Sequence, residues 1–443
     1  MNIFLLSIVL LSILAIILLT SVFKQNTFLS MFVVALTLGV ALLPAKEVVP
    51  VIAQGFGDTM KSIGVIIILG IMIGQLLEKT GATASMANSI LRLTGKHNSG
   101  LAIGLTGFVA GIPIFCNSGF IVLSGINKSL VKATGKPMIF MATMLAAGLY
   151  SIHCMIPPHP GAMAAVGIVK PNIGYLILLG IFIALPAAFA GFGWAKWMTR
   201  KEHIVLNNTT ATEEVNTFET DFPSPFWSFM PILVPLILLT GKSIIMLYQP
   251  PMEIWWVKII TLIGSPEVAL LLGVFIALSL FKKIEKDKIN SLFDEAIEKA
   301  GPILVLTAAG GIYGAVIKAT GIGEQTGTYL AATGLGLFIP FFITSFLKTA
   351  QGSSTVAIMT AASIVAPMLP ALYLDTEAGK LLATLAMGAG SMSISHANDS
   401  YFWVVAKFSG LETNATLKVY SSTTLVMGCV AFLCVWIASL FLL

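Results

Sequence analysis

Apolar runs long enough to cross a bilayer recur from one end of the chain to the other, separated by short polar or basic stretches. A membrane-spanning helix needs roughly 20 consecutive apolar residues. On that measure, uninterrupted spans fall at Asn2–Phe23, Thr27–Leu43, Ile63–Leu77, Ile173–Trp194, Phe226–Tyr248, Trp255–Phe281, Pro302–Ile317 and Ser421–Leu442. The first lacks a basic flank and a small-residue cleavage site, which predicts a retained helix and not a signal peptide. Four further stretches are apolar but interrupted. Leu101–Ile126 and Gly334–Pro367 carry GIPIFCNSG and KTAQGSST, while Met138–Val166 and Leu381–Val405 carry HCMIPPHPG and SISHANDS. Irregular backbone at membrane depth is tolerated only where protein or a water-filled cavity covers it, and carriers use such breaks as binding sites. The pattern predicts an all-α polytopic membrane protein. It has about ten transmembrane helices, with re-entrant hairpins around Cys116–Gly119 and Gly352–Thr355 and broken helices around His153–Gly161 and Ser393–Ser400.

Charge sets the orientation. Of the 25 Lys and Arg, 17 fall in loops that become cytoplasmic when the N-terminus is outside. Cytoplasmic loops carry such an excess of cations. The N-terminus, the loop near Lys380 and the C-terminus are then outside, and Lys196–Ser224 and Lys282–Lys299 are inside. The net charge of +5 is this loop charge. It forms no basic patch with interleaved aromatics, so nucleic acid is not an expected partner. The lipid bilayer of the cell (inner) membrane is. Cys116, Cys154, Cys429 and Cys434 lie in apolar segments without zinc-ligand spacing, so neither a metal site nor a disulfide framework is expected.

The two ends of the chain are related. Phe56, Gly64 and Gly74 recur as Phe293, Gly301 and Gly311 at an offset of 237, and Ala146, Gly148 and Ser151 recur as Ala386, Gly388 and Ser391 at 240. The shared order and near-constant offset predict two repeats, residues 1–195 and 225–443, joined by a polar cytoplasmic linker at 196–224. An odd number of crossings per repeat makes the second copy inverted, an arrangement found in alternating-access carriers.

Candidate chemistry gathers at the four breaks. The first hairpin offers Asn117, Ser118 and the free amide of Gly119, and the first broken helix offers His153 and His159. The second hairpin offers Lys348, Gln351, Ser353, Ser354 and Thr355. The second broken helix offers Ser393, Ser395, His396, Asn398, Asp399 and Ser400. Helix N-termini at such breaks present unpaired N–H groups and a positive dipole end, suited to a carboxylate. Hydroxyls and amides add neutral partners for a polyhydroxy solute. An intramembrane carboxylate is costly and marks function, which puts Asp399, with His153, in the coupling role. The remaining candidates for substrate contact are Asn117, Ser118, Gly119, His159, Lys348, Ser353, Ser354, Thr355, His396, Asn398 and Ser400. The linker, the three prolines of PPHP and any single membrane Ser also have purely structural readings.

At these motifs the chain resembles the gluconate:proton symporter (gluconate permease) family of the ion transporter superfamily, over nearly its whole length. The resemblance is carried by IPPHPG at Ile156–Gly161, AQGSSTVA at Ala350–Ala357 and SHANDSYFW at Ser395–Trp403, with GFGDTMKSIG at Gly55–Gly64 in support. It implies proton-coupled uptake of gluconate or a related anionic or zwitterionic solute such as glycerate or D-serine. No cofactor beyond the coupling proton is implied. It also implies a homodimer in which hairpins and broken helices move as an elevator-like transport domain against a scaffold. Two positions depart from the family pattern: Asn117, where an acidic residue is common, and Lys348, where Arg is frequent and would supply a bidentate fork. Asp399 and the nearby histidines are left for proton coupling. Two other readings remain open on the residues. One is a sodium-coupled carboxylate carrier, since tips with Asn, Ser and Thr can ligate sodium. The other is an intramembrane hydrolase using a serine with His396 and Asp399, against which duplicated half-sites argue.

Overall fold

The computed structural model describes residues 3–94, 98–201, 222–248, 250–251, 253–281 and 286–443, and every regular element among them is helical. Helices α1 (Ile3–Ile17) and α2 (Thr27–Leu42) lead into the long α3 (Ala45–Lys79) and then α4 (Ala82–Thr94). Two interrupted pairs follow, α5 (Ser99–Ala110) with α6 (Cys116–Thr134) and α7 (Met138–Met155) with α8 (Pro160–Val169), before α9 (Ile173–Lys201). A similar order comes next: α10 (Pro225–Leu247), α11 (Trp255–Ile263), α12 (Pro266–Leu278), the long α13 (Lys286–Ala319) and α14 (Ile322–Ala331). The interrupted pairs here are α15 (Phe338–Gln351) with α16 (Ser354–Val365) and α17 (Glu377–Met392) with α18 (Ser400–Phe408). The short α19 (Thr413–Thr416) and α20 (Ser422–Leu442) end the chain.

The interruptions have local causes. Helix α7 stops where Ile156 turns extended, at φ −128° and ψ 150°. Pro157 and Pro158 then offer no N–H to continue it. Pro160 restarts the chain as α8 at the first helical position, where its missing donor is not needed. Gly352, at φ +81°, ends α15, and Ser353 caps α16 by accepting from the Val356 N–H. In the second broken helix Ile394 sits at φ +43°, uncommon for a β-branched residue. Asp399 there caps α18 through the Tyr401 N–H at 2.9 Å.

Three expectations need correction. The span expected at Ile63–Leu77 is the end of one continuous helix that starts at Ala45, and likewise Pro302–Ile317 ends a helix that starts at Lys286. The polar stretch Gly55–Gly64 does not break α3, and Gly55, the first of its three glycines, serves a close helix crossing. A Cβ on Gly55 would lie 2.7 Å from the Gly311 carbonyl oxygen, and one on Gly311 would lie 2.6 Å from that of Gly55. Small residues at such a crossing let membrane helices approach. Lys286, Lys288 and Lys299, expected in a loop, therefore lie on α13. Trp255–Phe281 is not one straight span. It bends by 66° between α11 and α12, where Gly264 ends one helix and Pro266 opens the next. Helix α9 also runs through Lys201, past the expected start of the linker at 196, and residues 202–221 of that linker lie outside the described residues.

Among the described residues six helical stretches, the interrupted α7–α8 pair counted as one, are long and apolar enough to cross a membrane, and the bent α11–α12 pair makes a seventh. Further crossings would fall to shorter apolar helices such as α2. The most extensive helix-on-helix packing is α3 against α13, flanked by α2 on α13 and α12 on α3, while α7 and α17 are the helices buried almost throughout. Beside it the interrupted pairs pack on one another: α8 on α16, α6 on α18, α5 and α6 on α7, and α15 and α16 on α17.

Candidate functional site

The deepest charges lie where the second hairpin meets the second broken helix. Lys348 Nζ is 2.6 Å from Asp399 Oδ2, with both side chains essentially excluded from solvent (0% and 5% exposed). The ammonium also donates to the Gly352 carbonyl, and Ser395 Oγ donates to Asp399 Oδ2 at 2.5 Å. Lys348 is on the last turn of α15 and Asp399 is the N-cap of α18, so the ion pair staples tip to break. A buried pair survives at such depth only with further hydrogen bonds to its charged groups, which Gly352 gives the ammonium and Ser395 and the Tyr401 N–H give the carboxylate. Two more bonds reinforce the junction. His396 Nε2 donates to the Thr349 carbonyl at 3.0 Å, and Asn398 Nδ2 donates to the Thr349 and Ala350 carbonyls at 2.8 and 3.3 Å.

A second polar cluster ties the first hairpin to the first broken helix. His159 Nε2 is 2.8 Å from the Gly111 carbonyl, which can only accept, so that nitrogen carries a hydrogen. In neutral His159 the Nδ1 is then a bare acceptor, and His153 Nδ1, 3.2 Å away, donates to it. Phe115 packs beside both rings.

Tyrosines connect the clusters. Tyr150 stacks on Tyr401 with centroids 5.4 Å apart, and Lys348 Nζ lies 5.8 Å from the Tyr150 centroid. Tyr150 donates to the Ser391 carbonyl at 3.1 Å and Tyr401 to the Ala146 carbonyl at 3.3 Å, each bond linking α7 to the second broken helix. Phe120 of α6 packs edge-on against Tyr401. On the other side, the tip of the second hairpin abuts the first break: a Cβ on Gly161 would lie 3.2 Å from the Thr355 Cα. Each hairpin therefore touches the broken helix of the other set.

Several expected site residues are placed differently from their expected roles. The Gly119 amide is not free, since it donates to the Phe115 carbonyl at 2.8 Å in the first turn of α6, and its Cα faces Leu149. His159 is buried with both ring nitrogens engaged, which leaves it nothing to offer a solute. The Ser353 hydroxyl oxygen accepts the capping bond from the Val356 N–H. Asn117 and Ser118 are half-buried in the first turn of α6, Ser354 is buried and Thr355 half-buried at the start of α16, and Asn398 and Ser400 are exposed at the second break. A Ser–His–Asp relay does not form here: His396 bonds a backbone carbonyl, and Asp399 bonds Lys348 and Ser395. Tyr150 and Tyr401 were not singled out from the sequence. Their signal was available, because a tyrosine inside an apolar run must find a partner for its hydroxyl.

Comparison with known proteins agrees with this architecture. The family described as GntP family permease matches residues 4–441. The chain is 30% identical over 428 residues to the inner membrane permease YgbN of Escherichia coli, covering 93% of each chain. It is 30% identical over 446 residues to a gluconate permease of Pseudomonas aeruginosa, covering 98% of this chain and 97% of that one. The crystal structure of the YdaH transporter of Alcanivorax borkumensis superposes with a TM-score of 0.64 at 15% identity, over 97% of this chain and 99% of that one, a likeness of fold. The chain belongs to the GntP permease family, and is a multi-pass transport protein of the inner membrane and not an enzyme.

Proposed function

We propose that the protein is a symporter that carries a small hydroxy-acid anion of the gluconate class together with a proton, by alternating access. The observation that carries this reading is the buried Lys348–Asp399 pair at the junction of hairpin and broken helix. An ammonium at this depth suits a substrate carboxylate, but Asp399 already neutralises it. Two carboxylates and one ammonium would bury a surplus negative charge, which is strongly disfavoured. A proton on Asp399 removes the surplus: the carboxyl becomes neutral, and Lys348 turns to the substrate anion. The site is then balanced when empty (Lys⁺ with Asp⁻) and when loaded (Lys⁺ with substrate⁻ beside neutral Asp). It is unbalanced in between. Substrate and proton therefore bind together or not at all, which is what symport requires. The name of the Pseudomonas aeruginosa relative supports the gluconate class.

For movement, we read 1–195 and 225–443 as inverted repeats joined through 196–224. The reciprocal packing of α2 on α13 and α12 on α3, and of α8 on α16 and α6 on α18, supports that reading.

Reconstituted protein tests it. An inward proton gradient should accumulate D-gluconate, glycerate or D-serine, and a sodium gradient should not. Asp399→Asn keeps the cap, because Asn caps helices as well as Asp does, but cannot take the proton. It should keep exchange at equal pH and lose pH-driven accumulation. Normal accumulation by the Asn variant, or accumulation driven only by sodium, would overturn the coupling scheme.

A further inference from the structure

Gln351 is the last residue of α15, immediately before the tip at Gly352. Both its amide oxygen and its amide nitrogen are buried, and neither has a hydrogen-bond partner. Among the described residues only Gln75 shares this condition, and Gln75 lies on α3, outside the hairpins. An orphaned pair of polar atoms in a native fold calls for an explanation, since burial without a partner is costly. The position of Gln351 suggests one. Residues three apart on a helix share a face, so Gln351 stands one turn beyond Lys348 on the same side of α15. The neighbouring amide and imidazole donors are committed, His396 Nε2 to the Thr349 carbonyl and Asn398 Nδ2 to the Thr349 and Ala350 carbonyls, while the Ser353 hydroxyl accepts the capping bond from the Val356 N–H. The Gln351 amide remains with donors and an acceptor unspent, one helical turn from the lysine whose ammonium the proposed function gives to the substrate carboxylate.

We propose that Gln351 is a specificity-determining residue that hydrogen-bonds the hydroxyl groups adjoining the substrate carboxylate, so that the site takes polyhydroxy acids and rejects unsubstituted carboxylates of similar length. A primary amide suits this task because it both donates to and accepts from a hydroxyl. A site whose polar groups are left unpaired by the wrong ligand discriminates far more sharply than an apolar pocket does. This inference rests on the sugar-acid reading above.

The test is Gln351→Leu in the full-length protein, with two measurements. Without ligand, the variant should melt at or above the wild-type temperature, because an apolar side chain replaces an unpaired one. A clear fall in melting temperature would mean that the amide serves the fold, and would overturn the proposal. With ligand, its affinity for D-gluconate should fall roughly 10- to 100-fold, while the inhibition constant of propionate, which has a carboxylate and no hydroxyl, should be unchanged. Unaltered gluconate affinity in the variant would overturn the role of Gln351 alone. A wild-type protein that neither binds nor carries D-gluconate, glycerate or D-serine would overturn the parent reading instead.

Discussion

Replacing Lys348 by methionine isolates the energetics of the junction. The 2.6 Å contact to Asp399 corresponds to an attraction of about 6 kcal/mol at an effective dielectric of 20, most of it offset by desolvation of the two groups. The asymmetry matters more than the sum. Removing one partner of a buried pair costs about 3–5 kcal/mol, because the other charge stays behind unpaired, whereas replacing both is often nearly neutral. The methionine side chain would fill the space of the lysine stem, so packing loss is small and the cost falls on Asp399. The carboxylate would keep the Ser395 hydroxyl and the Tyr401 N–H but no cation. Lys348→Met should therefore lower unfolding stability by about 3–5 kcal/mol. In the double variant Lys348→Met/Asp399→Asn, most of that loss should return, since Asn still caps α18 and no charge is buried. Denaturant titration of purified protein in mixed micelles, followed by tryptophan fluorescence, measures all the variants on one scale. The reasoning fails if Lys348→Met unfolds with wild-type stability, or if the double variant loses the full sum of the two single losses.

Gly311→Ala should destabilise by about 1–3 kcal/mol, because its Cβ would meet the Gly55 carbonyl oxygen at 2.6 Å and the Thr59 hydroxyl still closer, and thermal melting would show it. An alanine tolerated without loss would mean that the α3–α13 crossing is looser than described. Orientation is tested in intact cells with single cysteines in a cysteine-free background. Lys380→Cys should react with an impermeant maleimide and Lys299→Cys should not, and the reverse pattern would invert the topology derived from the cation count.

Much of the site was legible because its local causes are written in residue type. Three prolines within four residues stop and restart a helix wherever they stand, so the first break could be read from PPHP. Asp399 announced itself by being a carboxylate in an apolar run. Glycine was not so readable. Gly352 ends a helix at positive φ, whereas Gly55 sits inside α3 because Gly311 lies against it. The two look the same in sequence, and only the tertiary contact separates them. The same limit hid the bend at Gly264, where a long apolar run suggested one straight helix, although Pro266 was there to be weighed.

Partnership was the least legible feature, and it changes the mechanism most. From sequence, Lys348 and Asp399 carry separate roles, one toward the substrate anion and the other toward the proton. They lie 51 residues apart, and neither motif names the other. Once the fold presses the last turn of α15 on the cap of α18, the roles can no longer be assigned independently. Whatever takes Lys348 from Asp399 leaves a buried carboxylate, and whatever protonates Asp399 leaves a buried ammonium. Under the proposed symport each event therefore creates the demand that the other meets, and coupling would follow from charge balance at one contact without any relay between distant sites. It also gives the Asn117 position a physical reading. In that proposed scheme Lys348 and Asp399 balance both states by themselves, so a second carboxylate at the first tip would add a charge that neither state needs.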